Sequence, residues 1–148
     1  MNESTYAVRR PPRRRLAVRA GLVGVVGVAA LLALGACSAS EPTLADLPAD
    51  VASARPSISA EEASFVLAAE KLGASITGDT VDDDLQTGTT TCWALKNGGV
   101  DLAQIAVDDN GKPLPDTGDA LRTKQLMAAG VQTFCPDYDN QVPQLKLP

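Results

Sequence analysis

Hydrophobic residues change their spacing three times along this chain, and each change marks a different kind of segment. From Ala20 to Ala36 they are continuous, a run of Val, Leu, Ala and Gly with no charge in it. From Ser38 to Ser57 they are scattered among Pro42, Pro48, Pro56, small residues and isolated acids, with no helical period. From Ser59 to Cys135 they recur at intervals of three and four, the spacing that gathers side chains on one face of a helix. After Asp139 the period is lost again, and Pro143 and Pro148 interrupt the tail.

The periodic region predicts four helices. The first opens at Ser59-Ala60-Glu61-Glu62, where a Ser N-cap and a Glu three residues on can exchange side-chain and backbone hydrogen bonds. Phe65, Ala69, Leu72 and Ile76 share its inner face, and Gly73 supplies the stop. The second runs from about Val81 to Lys96, with Thr80 and Asp83 as a further cap pair. Asp82, Asp83 and Asp84 then sit at the positive end of the helix dipole, where solvation and the dipole explain them. Val81, Leu85, Gly88, Cys92 and Leu95 form the inner face. Gly88 and the run Thr87–Thr91 are weak helix formers, which keeps a strand over Thr89–Leu95 as an alternative.

Asp101 caps a short third helix with Leu102, Ile105 and Ala106 inward, and Asp108 to Gly118 is a loop marked by Asn110-Gly111, Pro113 and Pro115. The fourth helix runs from about Asp119 to Phe134. Leu121, Met127, Ala128, Val131, Phe134 and Cys135 cover one broad face, and Pro136 closes it. Ahead of these helices, the stretch up to Ser57 is expected to be a flexible tether, reaching at most roughly 65 Å. A short helix over Leu44–Val51, interrupted at Pro48, is the alternative. The chain contains no internal repeat.

The continuous apolar run is preceded by Arg9, Arg10, Arg13, Arg14, Arg15 and Arg19 against the single acid Glu3. A basic region, an apolar region and a small-residue exit are the parts of an export signal. The run is at the lower limit for a permanent span, which needs about 17–25 residues, and Gly21, Gly24 and Gly27 weaken it as a helix. Its ending, Leu34-Gly35-Ala36-Cys37, resembles the lipobox of bacterial lipoproteins. That resemblance implies a diacylglycerol on the Cys37 thiol, cleavage just before it, and residues 1–36 as the signal peptide. An ordinary cleaved signal, or an uncleaved helix with a bystander cysteine, is the alternative. Arg13-Arg14-Arg15-Leu16 also resembles a twin-arginine export signal. Each acyl chain, palmitate included, contributes about 0.8 kcal/mol per buried CH₂, and one chain alone holds only marginally. The two or three chains of a lipoprotein would anchor Cys37 on the outer face of the cell membrane.

Removing this leader changes the electrostatics. The whole chain has a net charge of −5, and from Cys37 onward it is −10. So acidic a body lacks the basic footprint that nucleic acid requires and is repelled by anionic lipid headgroups. The chain has no histidine, which removes the commonest general base and metal ligand. Once Cys37 is lipidated, Cys92 and Cys135 remain as a pair in an oxidising compartment, where a disulfide persists. Closing that loop would remove about 4 kcal/mol of unfolded-chain freedom. Two buried thiols are the alternative.

The pattern Phe65…Leu72-Gly73…Gly88-x-x-x-Cys92-x-x-Leu95…Gly99…Phe134-Cys135-Pro136 resembles the small exported actinobacterial family called domain of unknown function 732. The resemblance covers about Ile58 to Asp137. It implies a compact helical bundle with a disulfide between the Gly-x-x-x-Cys helix and the terminal aromatic-Cys-Pro, and it supplies no activity.

Other residues offer chemistry less readily. For Asp108-Asp109-Asn110-Gly111, matching Gly111 to the glycine of a calcium loop puts Ala106 and Thr117 where acids are required, so a turn is expected. Met127 and Tyr138 are the available axial ligands for a haem, but Met127 falls on an apolar face and is expected in the core. Trp93 should project about 100° away from Cys92 around its helix, at the rim, as a candidate partner contact. The expectation is an all-α, disulfide-stapled bundle of about four helices over 58–137. A signal peptide (1–36) and a lipidated tether (37–57) precede it, and a disordered tail (138–148) follows. We expect it to be non-enzymatic, without metal or cofactor, and to act as a binding module toward an envelope protein or small ligand. The alternatives are a carrier for a small hydrophobic ligand and, more remotely, an enzyme using carboxylates alone.

Overall fold

A computed structural model of the chain describes residues 41–148; the expected signal peptide, Cys37 and the first residues of the expected tether lie outside the described residues. The described part is a helical bundle: α1 (Ala49–Ala54), α2 (Ala60–Lys71), α3 (Val81–Asn97), α4 (Leu102–Ile105) and α5 (Gly118–Phe134). A 3₁₀ turn at Leu44–Asp46 precedes α1, and a 3₁₀ segment at Pro136–Leu145 follows α5. Among the described residues the β-structure is one isolated bridge, between Val107 and Pro113.

The four expected helices are α2 to α5. At the start of α2, Ser59 Oγ accepts from the Glu62 N–H at 3.2 Å and Glu62 Oε2 accepts from the Ser59 N–H at 2.8 Å, the full capping box. At its end Gly73 takes φ +92°, which lets the Ala74 and Gly73 N–H groups donate to Ala69 and Glu70 carbonyls, each at 2.9 Å. That pair of bonds is the Schellman stop. Helix α3 settles the Thr-rich stretch as helix rather than strand. Thr87, Thr89 and Thr91 each donate a hydroxyl proton to the carbonyl four residues back, at 2.8–3.0 Å, so polar side chains that often compete with a helix are folded into its own bonds. The expected Thr80–Asp83 cap is not the one formed. Thr80 Oγ1 instead accepts from the Thr77 N–H at 3.1 Å, because the chain enters α3 through a turn.

Helix α5 is the centre of the bundle. Residues Lys124 to Val131 are all buried, and α2, α3 and the 3₁₀ segment after it pack against its different sides. One core gathers Val51, Phe65, Val66, Ile76, Leu85 and Leu126. The other gathers Cys92, Leu95, Leu102, Met127, Val131 and Leu145. Leu72 and Phe134 touch both. The Phe134 ring stacks on Phe65 with centroids 5.3 Å apart.

Both edges of the domain lie further out than the hydrophobic period indicates. The stretch expected to be tether supplies the 3₁₀ turn and α1, which starts directly after Pro48, and Leu47 and Val51 enter the core. Proline ends the alternative helix over Leu44–Val51 but suits a helix start. Asp50 fastens α1 by accepting the Gly78 N–H at 2.9 Å. Arg55 pairs with Glu62 at 2.8 Å and with Asp82, linking α1 to α2 and α3. The tail expected to be disordered winds back over α4. Gln141 and Gln144 accept from the Leu102 and Ala103 N–H groups, at 2.8 and 3.2 Å, and Asp101 accepts from Gln104 at 2.9 Å. The Leu102 and Ala103 donors, otherwise orphaned at the start of a one-turn helix, are thereby satisfied. Leu145 is buried there, a gain of about 1.5–3 kcal/mol for a fully buried side chain of its size.

Cys92 and Cys135 form a disulfide, with Cα atoms 5.8 Å apart across a sequence separation of 43. It ties α3 to the end of α5. Reduction should therefore lower stability by about 4 kcal/mol, roughly 15–25 °C in Tm for a domain of this size. Thermal melts with and without reductant check this, and an unchanged Tm would contradict it.

Candidate functional site

The expected site residues are dispersed, and where each one goes is informative. The three adjacent aspartates at the start of α3 point three ways, as consecutive helical positions must. Asp82 pairs with Arg55 on the surface. Asp84 is buried, contrary to its expected solvated role, and accepts from Arg122 of α5 at 2.8 and 2.6 Å. The same guanidinium donates to the Ser75 carbonyl at 2.9 Å, so this pair fixes the α3–α5 angle at one end as the disulfide does at the other. The two Asp84 bonds come first in raising the Arg122 pKa above its ordinary value. Of these three, only Asp83 is exposed without an ion-pair partner among the described residues.

Asp108 is occupied as a turn acceptor. Its carboxylate receives the Asn110 and Lys112 N–H groups, each at 2.9 Å, and the Lys112 bond is the main reason its pKa lies below the ordinary value. Gly111 sits at φ +73° in this turn. Met127 is buried in the core and Tyr138 lies half-buried beside it. Among the described residues no group of three or more His, Cys, Asp or Glu side chains is gathered as a metal would need.

Trp93 is 65% exposed, on the flank of α3 beside the disulfide. It borders a shallow concavity of about 420 Å³ with Glu61, Thr89, Lys96, Asn97 and Phe134. Asn97 Nδ2 donates to the Trp93 carbonyl at 2.9 Å and Lys96 Nζ to the Phe134 carbonyl at 3.1 Å, so the polar groups around the indole are held in place while its ring is left uncovered.

A second concavity lies on another side of α3, and the sequence did not single it out. It is a cleft of about 550 Å³ between α3, the segment after α4 and the first half of α5. Ala94, Ile105, Val107, Leu114 and Met127 make its floor. The wall carries Asp83, Gln86, Thr87, Thr90, Thr91 and Thr123. The volume is in the range of small-molecule sites. The only signal for it in the sequence is the Thr87–Thr91 run, which weak helix propensity explains equally well. The far wall is built by the loop, which is held by the Leu114 N–H to Ala106 carbonyl bond at 3.0 Å and by the ion pair of Asp116 with buried Lys124. Comparisons with protein-family models, with curated proteins and with solved structures gave no match.

The bonds that hold α1 and α2 make stability depend on pH. The Glu62 pKa is lowered from 4.5, first by the Ser59 N–H, and that of Asp50 is lowered from 3.8, first by the Gly78 N–H. A carboxylate whose pKa is lower in the folded state contributes its full stability above the unfolded value and loses it as pH falls through the folded value. The Tm should be flat down to about pH 5 and fall below about pH 4. Asp50→Asn should be less steeply acid-dependent than the parent. A Tm that rises as pH falls below about 4, measured by circular dichroism, would contradict this.

Proposed function

We propose that the chain is a lipid-anchored, extracytoplasmic binding module of the cell envelope, held by acyl chains on Cys37 and engaging its partner through the surface around Trp93. The observation that carries the binding role is the uncovered indole. A large aromatic ring left in water on an otherwise well-buried bundle, flanked by pinned polar side chains, has the composition of an interface anchor. Support for the anchor is the Leu34-Gly35-Ala36-Cys37 ending of an arginine-led apolar run. Among the described residues no helix is long and apolar enough to cross a membrane. The motif resemblance to domain of unknown function 732 is compatible with the same address and rests on the quoted residues alone. Tethering raises the effective concentration of the domain near a membrane-bound partner, so a modest contact surface suffices. Carriage of a small ligand is a second reading, favoured by the cleft beside α3.

The test uses the full chain in its own envelope. A photoreactive residue at Thr89, beside the indole, should give a discrete adduct that disappears on Trp93→Ala and is absent when the probe sits at exposed Glu70. Cys37→Ser should abolish labelling with a palmitate analogue. Equal labelling of the Cys37→Ser variant would overturn the anchor, and an adduct insensitive to Trp93→Ala would overturn the interface.

A further inference from the structure

The cleft beside α3 has a hydrogen-bonding wall in which acceptors outnumber donors, the Gln86 amide and the Thr90 hydroxyl being its donors. Thr87, Thr91 and Thr123 each line it, and each has spent its hydroxyl proton on a helix carbonyl, those of Asp83, Thr87 and Asp119, at 3.0, 2.8 and 2.9 Å. What these oxygens turn toward the cleft is therefore acceptor capacity only. At one end stands Asp83, the member of the aspartate trio left without a cation. Among the described residues no lysine or arginine lines the cleft, whereas lysines border the concavities beside Trp93 and Leu145. Beneath this wall the floor of Ile105, Val107, Leu114 and Met127 is apolar.

From this we infer that the cleft binds a small organic cation with an apolar body, its ammonium group on Asp83 and the threonine oxygens and its hydrocarbon on the floor. Charge and hydrogen-bond complementarity select this class. An ammonium brings three donors and no acceptor, matching the three committed threonine oxygens and the one negative charge of Asp83. A carboxylate of the same size could accept only from Gln86 and Thr90 and would meet the like charge of Asp83. The preference for the cation is modest, because the positive end of α3 offsets part of the Asp83 charge and the site is open to water. The inference rests on the small-ligand reading and gives it a ligand class at a surface separate from Trp93.

The test is a titration of the full chain, held in neutral phosphatidylcholine nanodiscs with empty discs as the blank, followed by the methyl NMR signals of Met127 and Leu114. The probes are phenethylammonium, phenethyl alcohol and phenylacetate. Phenethylammonium should bind about three- to five-fold more tightly than the alcohol at low salt, and phenylacetate most weakly. The first gap should close in Asp83→Asn and shrink at high salt, while Leu114→Ser should weaken all three probes. Absence of shifts with any probe, an alcohol that binds as well as the ammonium, or a gap that survives Asp83→Asn would overturn the inference. Crosslinking from Thr89 is unaffected by any of these results, so the two readings fail separately.

Discussion

Helices α3 and α5 meet backbone to backbone at Gly88 and Gly130, and the remaining elements are arranged around that contact. A Cβ on Gly130 would lie 2.5 Å from the Gly88 Cα and 2.7 Å from its carbonyl oxygen. A Cβ on Gly88 would lie 2.6 Å from the Phe65 ring. Two glycines thus remove the side chains that would hold the helices apart, and Phe65 of α2 closes over the crossing. One turn beyond Gly88, Cys92 is close enough to the end of α5 to bond to Cys135. One turn before it, Asp84 reaches Arg122. A covalent link and a buried ion pair bracket the crossing, so α3 is held both in separation and in rotation about its axis.

That rotation decides what the surface offers. With Gly88, Cys92 and Leu95 turned inward, Trp93 must emerge on one flank and the Asp83–Thr87–Thr90–Ala94 strip on another. The indole is exposed because its neighbour in sequence is the disulfide, and helical geometry separates the two. The cleft exists because the loop after α4 stands off from α3, propped by Leu114 and by the Asp116–Lys124 pair. The exposed indole, the cleft and the core are consequences of the same register.

Much of this organisation was legible in the spacing of residues. Capping at Ser59–Glu62 and at Asp101, the Gly73 stop and the inner face of α3 all rest on local chemistry that sequence carries directly, and the Cys92–Cys135 pair on cysteine count and an exported setting. The domain's edges were not legible. Leu47 with Val51, and Val142 with Leu145, are pairs in short proline-containing stretches, and a pair is too short to establish a period. Gln141 and Gln144 act as caps from some forty residues away, a relation that no local pattern encodes. Gly130 was likewise hidden, since α5 is buried on all sides at its centre and one glycine among Ala128, Ala129 and Val131 shows no distinct face. The burial of Asp84 followed from a partner on another helix, and the cleft from a loop whose position depends on a tertiary ion pair.

The Gly130→Ala variant, unfolded by urea with the disulfide intact, tests the crossing most directly. On propensity alone this exchange in a helix interior stabilises by about 1 kcal/mol. If the crossing governs the fold, the added methyl meets backbone that cannot yield, and stability falls instead by about 1–3 kcal/mol. The exposed control Gln132→Ala should stay within about 0.5 kcal/mol of the parent. A Gly130→Ala variant as stable as the parent, or more stable, would contradict the tight contact at Gly88 on which the arrangement of the bundle depends.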